Sequence, residues 1–273
     1  MIGLALPEEW EAALSSAAAR ILVLGATDMG KSSFIRALAG RRPGLTLVDL
    51  DPGQKMVGPP GTASRGRTDA GGALLLERFV FLGTTSASSL GGTARAAAEL
   101  IRGAEPVVVN TAGFVHGLGA RLQALTIRAV RPDLIVAIGD GLEPILEGFG
   151  QTPTLRLPRP QAARNKSPAA RAAIRQAAFE EALQGGQSRI LEEVALEPGP
   201  PLALTQAARP VCSLADEEGE DLALGVIEQA QPLRVFTACT EPVRRVRLGK
   251  MWAEPAAGGW RLLDKLSPAW SGR

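Results

Sequence analysis

A parallel β-sheet covered by helices, followed by a smaller β-rich module, is the α/β architecture this sequence predicts. Three observations predict it. Through the first half of the chain, short apolar runs alternate with helix-periodic segments. Several of those runs, such as ILVL and VVVN, are continuously aliphatic, as in strands buried on both faces. A glycine-bounded turn, GATDMGKSS, joins the first such run to a helical segment.

Taken in order, the first helix is expected over Pro7–Ala18 and the first strand over Arg20–Leu24. A helix at Lys31–Leu38 leaves the glycine turn and leads to a strand at Thr46–Leu50. Residues Gly58–Gly72 are rich in Gly, Pro, Thr and Arg with little periodicity, and are expected to form a mobile loop near the site. Strands follow at Arg78–Leu82, Pro106–Asn110, Asp133–Ile138 and Thr154–Leu157. Helices between and after them are expected at Leu90–Ile101, Leu118–Val130, Leu142–Phe149 and Ser167–Leu183, the last with Pro168 suited to a first turn.

From about Ser188 the texture changes. Prolines cluster at Glu197–Pro201. Short runs then read as strands at Pro210–Leu214, Ala223–Glu228, Leu233–Thr237, Val243–Leu248 and Trp260–Leu263. The acidic stretch Asp216–Asp221 is expected to be a solvated hairpin tip. These patterns divide the chain into 1–187, with a lid helix within about 160–184, and a small β-rich unit at 188–273.

Composition narrows the function classes. Two cysteines without CxxC spacing and a single histidine argue against a disulfide framework, a zinc site and a Ser–His–Asp triad. No apolar run is long enough to span a membrane, and MIGLALPEEW lacks a signal-peptide pattern, so the expected location is cytoplasmic with no membrane partner. The net charge is only +2, but its distribution is uneven. Between Gln151 and Phe179 lie six basic residues (Arg156, Arg159, Arg164, Lys166, Arg171, Arg175) and no acidic one, a local field suited to phosphates.

Gly25-Ala26-Thr27-Asp28-Met29-Gly30-Lys31-Ser32 fits GxxxxGK[ST], with Ser33 continuing the cradle. Its strand–loop–helix context makes it a P-loop for a nucleoside triphosphate. Backbone N–H groups wrap the phosphates, Lys31 reaches the β- and γ-phosphates, and the Ser32 hydroxyl binds Mg²⁺. The second strand ends in Asp49-Leu50-Asp51-Pro52-Gly53-Gln54. Ligands bind at the carboxyl ends of strands in open α/β sheets, so an acid here lies beside the P-loop. Asp51 is the candidate to orient Mg²⁺-bound water or accept a proton, with Asp49 as its alternative or a structural cap. Thr84-Thr85 and Asn110-Thr111 present further polar groups at that edge. In the glycine-rich loop beyond, Phe114 is a candidate stacking platform for a nucleobase, and His116 a candidate substrate contact. Arg171 and Arg175 are four apart, on one face of the lid helix, where they can close over a γ-phosphate.

Four blocks in this order, GATDMGKSS, DLDPGQ, NTAGFVHGLG and LPRPQAARNKSPAARAAIR, resemble the polynucleotide 5′-hydroxyl kinases related to the eukaryotic kinases of mRNA cleavage, tRNA splicing and pre-rRNA maturation. The resemblance extends to VCSLADEEGEDLALGVIE and VRRVRLGKMW, so it covers most of the chain. It implies ATP-dependent phosphorylation of a 5′-OH end of RNA or DNA. It makes Lys31, Asp51, Arg171 and Arg175 catalytic and places metal at Ser32 and Asp51. It implies substrate contacts at Gln54, Thr84, Thr85, Thr111, Phe114, His116 and Lys166. Lys166 stands where the family usually has Arg, and Phe114 where it commonly has Trp. Larger eukaryotic members carry an additional N-terminal β domain, and the resemblance sets no expectation for protein partners. From the residues alone, a nucleotide-gated regulatory ATPase or GTPase and a small-molecule kinase stay open. ATP against GTP, and RNA against DNA, are not readable, because the cradle reads phosphates and the 2′ position has no assigned contact.

Overall fold

The computed structural model describes residues 7–69, 71–87, 89–197 and 208–263. The segment 198–201 of the proline cluster and the N-terminal residues 1–6 lie outside them.

A 3₁₀ turn at Glu8–Trp10 opens the described chain and runs into α1 (Glu11–Leu14). Then come β1 (Arg20–Leu24), α2 (Lys31–Arg41), β2 (Thr46–Asp49), β3 (Thr62–Thr68) and β4 (Leu74–Phe81). After these follow α3 (Leu90–Leu100), β5 (Val107–Asn110), α4 (Leu118–Val130), β6 (Leu134–Ile138), α5 (Glu143–Leu146), β7 (Thr154–Leu157) and α6 (Pro168–Ala182). The remainder is β8 (Gln187–Ile190), β9 (Ala195–Glu197), β10 (Arg209–Ala215), β11 (Asp221–Ala230), β12 (Leu233–Thr237), β13 (Arg245–Ala256) and β14 (Gly259–Leu263).

The parallel part has the order β2-β5-β1-β6-β7, with β1 central and in register with Val107–Asn110 on one side and Leu134–Ala137 on the other. Its continuous apolar runs are explained by burial on both faces. Ile21 and Val23 pack with Trp10, Phe34, Ile35 and Leu38 beneath α1 and α2. Leu22 and Leu24 point the other way, to Ala97 and Leu100 of α3 and Ile127 and Val130 of α4. Trp10 meets Phe34 edge to face at 5.6 Å and donates its indole N–H to Pro158 O at 3.1 Å, tying the N-terminal turn to the chain that enters the lid.

The mobile loop expected over Gly58–Gly72 is corrected. Thr62–Thr68 is β3, antiparallel between β2 and β4. Its polar composition hid it because its polar side chains are satisfied locally. Thr62 Oγ1 donates to Pro59 O at 2.7 Å, and Arg65 and Arg67 share Glu77 across the hairpin. The helices expected at Pro7–Ala18 and Leu142–Phe149 are each a single α turn joined to a 3₁₀ turn, too short to continue without an apolar face to extend.

The C-terminal strands continue the same sheet, in the order β14-β13-β10-β11-β4. The junction is the pair Asp221–Phe79, reinforced by the Phe81 N–H donating to Asp221 Oδ2 at 2.8 Å. Asp221 is therefore not a solvated tip residue. Its side chain is buried, accepts from Ser213 Oγ at 2.7 Å and pairs with Arg247 at 2.9 Å. The C-terminal half of α6 is anchored here, with Phe179 and Leu183 packed among Phe79, Val211, Val226 and Met251. Among the described residues, no helix is long and apolar enough to cross a membrane.

Candidate active site

The turn between β1 and α2 lies in the left-handed region at Asp28 (φ 61°) and Gly30 (φ 100°). Gly30 is required twice over, because a Cβ there would also fall 2.8 Å from Pro160 Cδ of the lid approach. The first α2 bond runs from Phe34 N–H to Gly30 O at 3.0 Å, which leaves the preceding N–H groups at the helix start for a ligand. Gly30, Lys31, Ser32 and Ser33 line a cleft of about 570 Å³, and Ser32 Oγ has no hydrogen-bond partner among the described residues. Lys31 is 8% exposed, and its ammonium donates to Gly25 O at 2.7 Å and Ala26 O at 2.9 Å. Gly25 and Ala26 thus shape the loop and hold Lys31, and Met29 packs with the α1–α2 core rather than in the cleft.

The two carboxylates after β2 separate cleanly. Asp49 is fully buried and saturated. Its Oδ1 accepts from Asn110 Nδ2 at 2.8 Å and Asp51 N at 3.2 Å, its Oδ2 accepts from Met56 N at 2.6 Å, and Lys55 lies 3.3 Å away. Asp51 lines the cleft. Among the described residues only its Oδ1 is engaged, accepting from Gly53 N and Gln54 N at 2.9 Å each. That turn aims the loop and leaves Oδ2 unengaged. The buried Lys55 was not assigned a role from sequence, and Asn110, expected only as a polar group at that edge, proves to hold Asp49.

Thr85 and Gln54 line the cleft, and so does Phe114, which is 42% exposed. Gly113 brings that loop onto the P-loop, since a Cβ would lie 2.4 Å from Thr27 Oγ1. Three expected contacts are not brought to the cleft. Thr84 Oγ1 accepts from Ser86 N at 3.1 Å and holds its own loop. Thr111 is buried and donates to Val23 O at 2.8 Å, a strand-to-strand tie. His116 is exposed at the turn before α4 and does not line the cleft.

Across the cleft stands α6, capped by Ser167 Oγ accepting from Ala170 N at 3.1 Å. Lys166, Arg171 and Arg175 line the cleft from this side, joined by Arg164, one of the six basic residues of that stretch, and by Arg36, which was not singled out from sequence. Asp28 reaches up to this segment. Its Oδ2 pairs with Arg171 Nη2 at 2.5 Å and accepts from Lys166 N at 3.0 Å. Gln54 Nε2 donates to Arg171 O at 3.4 Å. Buried polar atoms without partners among the described residues gather here too, namely Gln54 Oε1, Asn110 Oδ1 and Arg171 Nε. A basic, polar cleft with orphaned groups fits a polyanionic ligand.

Burial pushes the Lys31 ammonium down to about 8, against the opposing pull of Asp51 and Asp28. Burial, reinforced by Asp49, raises the Asp51 carboxyl above the usual carboxylate range, against the Gln54 and Gly53 N–H groups and Lys31. A bound triphosphate favours charged Lys31 and raises its pKa in the complex. Nucleotide affinity should therefore be constant below pH 8 and fall as pH rises through the free-protein value. Calorimetry above pH 8 in buffers of different ionisation enthalpy should record proton uptake on binding. Equal apparent enthalpies in all buffers would contradict the assignment.

A parallel sheet with a glycine turn feeding a helix, Lys31 and Ser32 at its start and a basic lid above defines a P-loop nucleotide-binding protein. Residues 25–185 match the family described as mRNA cleavage and polyadenylation factor CLP1 P-loop. The chain belongs to that family. It is 34% identical over 172 residues to a polyribonucleotide 5′-hydroxyl-kinase of Pyrococcus furiosus, an alignment covering 58% of this chain and 48% of the relative. It is 31% identical over 155 residues to a polynucleotide 5′-hydroxyl-kinase of Drosophila melanogaster, covering 50% of this chain and 16% of that one. The chain thus spans about half the length of the Pyrococcus relative. A solved Clp1p–Pcf11p complex shares the fold, with a TM-score of 0.65 over 88% of this chain and 76% of that one at 14% identity.

Proposed function

We propose that this protein is a polynucleotide 5′-hydroxyl kinase that transfers the γ-phosphate of a nucleoside triphosphate, ATP foremost, to the 5′-OH end of RNA or DNA in the cytoplasm. The observation that carries the reading is Asp51. Its second carboxylate oxygen is unengaged in the same cleft as Lys31 and Ser32 of the P-loop and Arg171 and Arg175 of the lid. The basic lid facing that carboxylate leaves room for an acceptor, which a nucleotide switch does not need. The names of the relatives support the same reading.

In this mechanism the N–H groups from Gly30 to Ser33 hold the β- and γ-phosphates. The 5′-oxygen attacks the γ-phosphorus in line, the bond to the β–γ bridging oxygen breaks, and ADP leaves. Asp51 orients the 5′-hydroxyl and takes its proton. Lys31 leaves the Gly25 and Ala26 carbonyls for the phosphates, and Arg171 exchanges Asp28 for the γ-phosphate. Ser32 Oγ and Asp51 suit Mg²⁺, which supplies charge neutralisation across the phosphate oxygens. Gln54, Thr85 and Lys166 flank the acceptor, and Phe114 offers a face to its base. Residues 1–187 act as the kinase unit, with the lid inside 160–184, and the β-rich unit 188–273 holds the base of the lid.

With Mg²⁺ and γ-labelled ATP, the purified protein should label 5′-OH oligonucleotides and not 5′-phosphorylated ones. Release of free phosphate alone, indifferent to oligonucleotide ends, would instead make it a regulatory ATPase.

A further inference from the structure

Many arginines of this protein are neutralised. Arg41 pairs with Glu11, Arg65 and Arg67 with Glu77, Arg78 and Arg95 with Glu99, Arg156 with Glu143, and Arg245 and Arg247 with Glu197. Against that pattern, Arg121 and Arg128 of α4, with Arg102 and Arg131 at its far end, have no ion-pair partner among the described residues. All four are exposed. Arg128 lies 5.7 Å from the Phe149 ring centre, a contact that holds the side chain without cancelling its charge.

Their placement is ordered. The exposed positions of α4 are Leu118, Arg121, Leu125 and Arg128, spaced three, four and three, which is one stripe on a helix. Leu118 is 57% exposed, and the stripe begins beside Phe114, at the mouth of the cleft. Its other end opens on a cavity of about 600 Å³ lined by Arg20, Arg102, Arg128, Arg131 and Glu105. The Glu105 carboxylate is already taken by Arg20, so the cavity keeps a positive balance. Alternating apolar and cationic side chains leading away from a 5′-end cleft offer stacking faces and phosphate contacts in turn.

We infer that the exposed stripe of α4, from Phe114 to the cavity at Arg102 and Arg131, is the track along which a single-stranded polynucleotide leaves the active site. The inference rests on the kinase reading above and extends it to the body of the substrate. The thirteen residues of α4 span about 20 Å, room for roughly six nucleotides at the rise of a stacked strand. Charge complementarity favours nucleic acid over a protein partner, because the stripe has no acidic residue.

The test compares 5′-OH acceptors from a dinucleotide to a twelve-mer in the wild-type protein, in the triple variant R102Q/R121Q/R128Q, and in R95A as an off-stripe control. In the wild type, KM should fall as the acceptor lengthens to about six nucleotides and then level. In the triple variant, the twelve-mer should lose roughly ten- to a hundredfold in KM at 0.1 M salt, and the dependence of log KM on log salt should flatten by about 2. R95A should keep the wild-type twelve-mer values. A length-independent wild-type KM, or a triple variant with the wild-type salt slope, overturns the track and leaves the stripe to a protein partner. Failure of the kinase reading is distinct, since no acceptor of any length would then be phosphorylated.

Discussion

Asp51→Asn is expected to lower turnover by about 10²–10⁴-fold while leaving the fold intact. The substitution is isosteric, and an amide oxygen can still accept the Gly53 and Gln54 N–H groups that shape the DPGQ loop. What disappears is the charge at the unengaged oxygen and its capacity to take a proton from the 5′-hydroxyl. The loss should therefore fall chiefly on kcat. Burial raises the wild-type carboxyl, so the active, ionised form accumulates only as pH rises through that raised value. The acid limb of kcat/KM should lie above an ordinary carboxylate's and vanish in the variant. The ionised group is disfavoured by folding, a penalty present above the folded-state pKa, so the neutral Asn should leave the melting temperature at pH 7 unchanged or raised. A variant retaining full turnover would remove Asp51 from the chemistry.

Lys31→Ala should cost roughly a hundredfold or more in turnover, because a charge aimed at the developing phosphoryl charge is lost in a dry site. Two further consequences separate this from simple misfolding. The fall in nucleotide affinity above pH 8 should disappear, since its titrating group is gone. The Gly25 and Ala26 carbonyls lose their shared donor, so the variant should melt lower even without nucleotide. Near-normal phosphoryl transfer by a folded Lys31→Ala protein would refute its role at the γ-phosphate.

Much of the frame was legible because the signals are local. The bounds of β1, α4, β7 and β12 match expectation residue for residue, since short apolar runs bounded by turn residues and a 3.6-residue period are written within the chain locally. The lid helix was equally readable from its Ser-Pro start. β3 was not, because Thr62, Ser64, Arg65 and Arg67 look like loop until their partners across the hairpin are known. Thr111 reads like a site residue in sequence, yet its hydroxyl is committed to Val23, 88 positions away.

The sequence by itself determined the phosphate cradle, the order of the parallel strands' building blocks, the acid that follows β2 and the basic lid. Each of these depends on neighbours a few residues apart, where chain geometry leaves few choices. Tertiary structure alone decided which carboxylate faces the cleft. Asp49 is consumed by Asn110, Met56 and Lys55, and Asp51 is left with an unengaged oxygen. It also decided that Asp28 latches Arg171 across 143 positions and that the Asp221 side chain is buried rather than solvated. Those outcomes turn on which distant charges and donors folding brings within hydrogen-bond reach, and no local pattern records that.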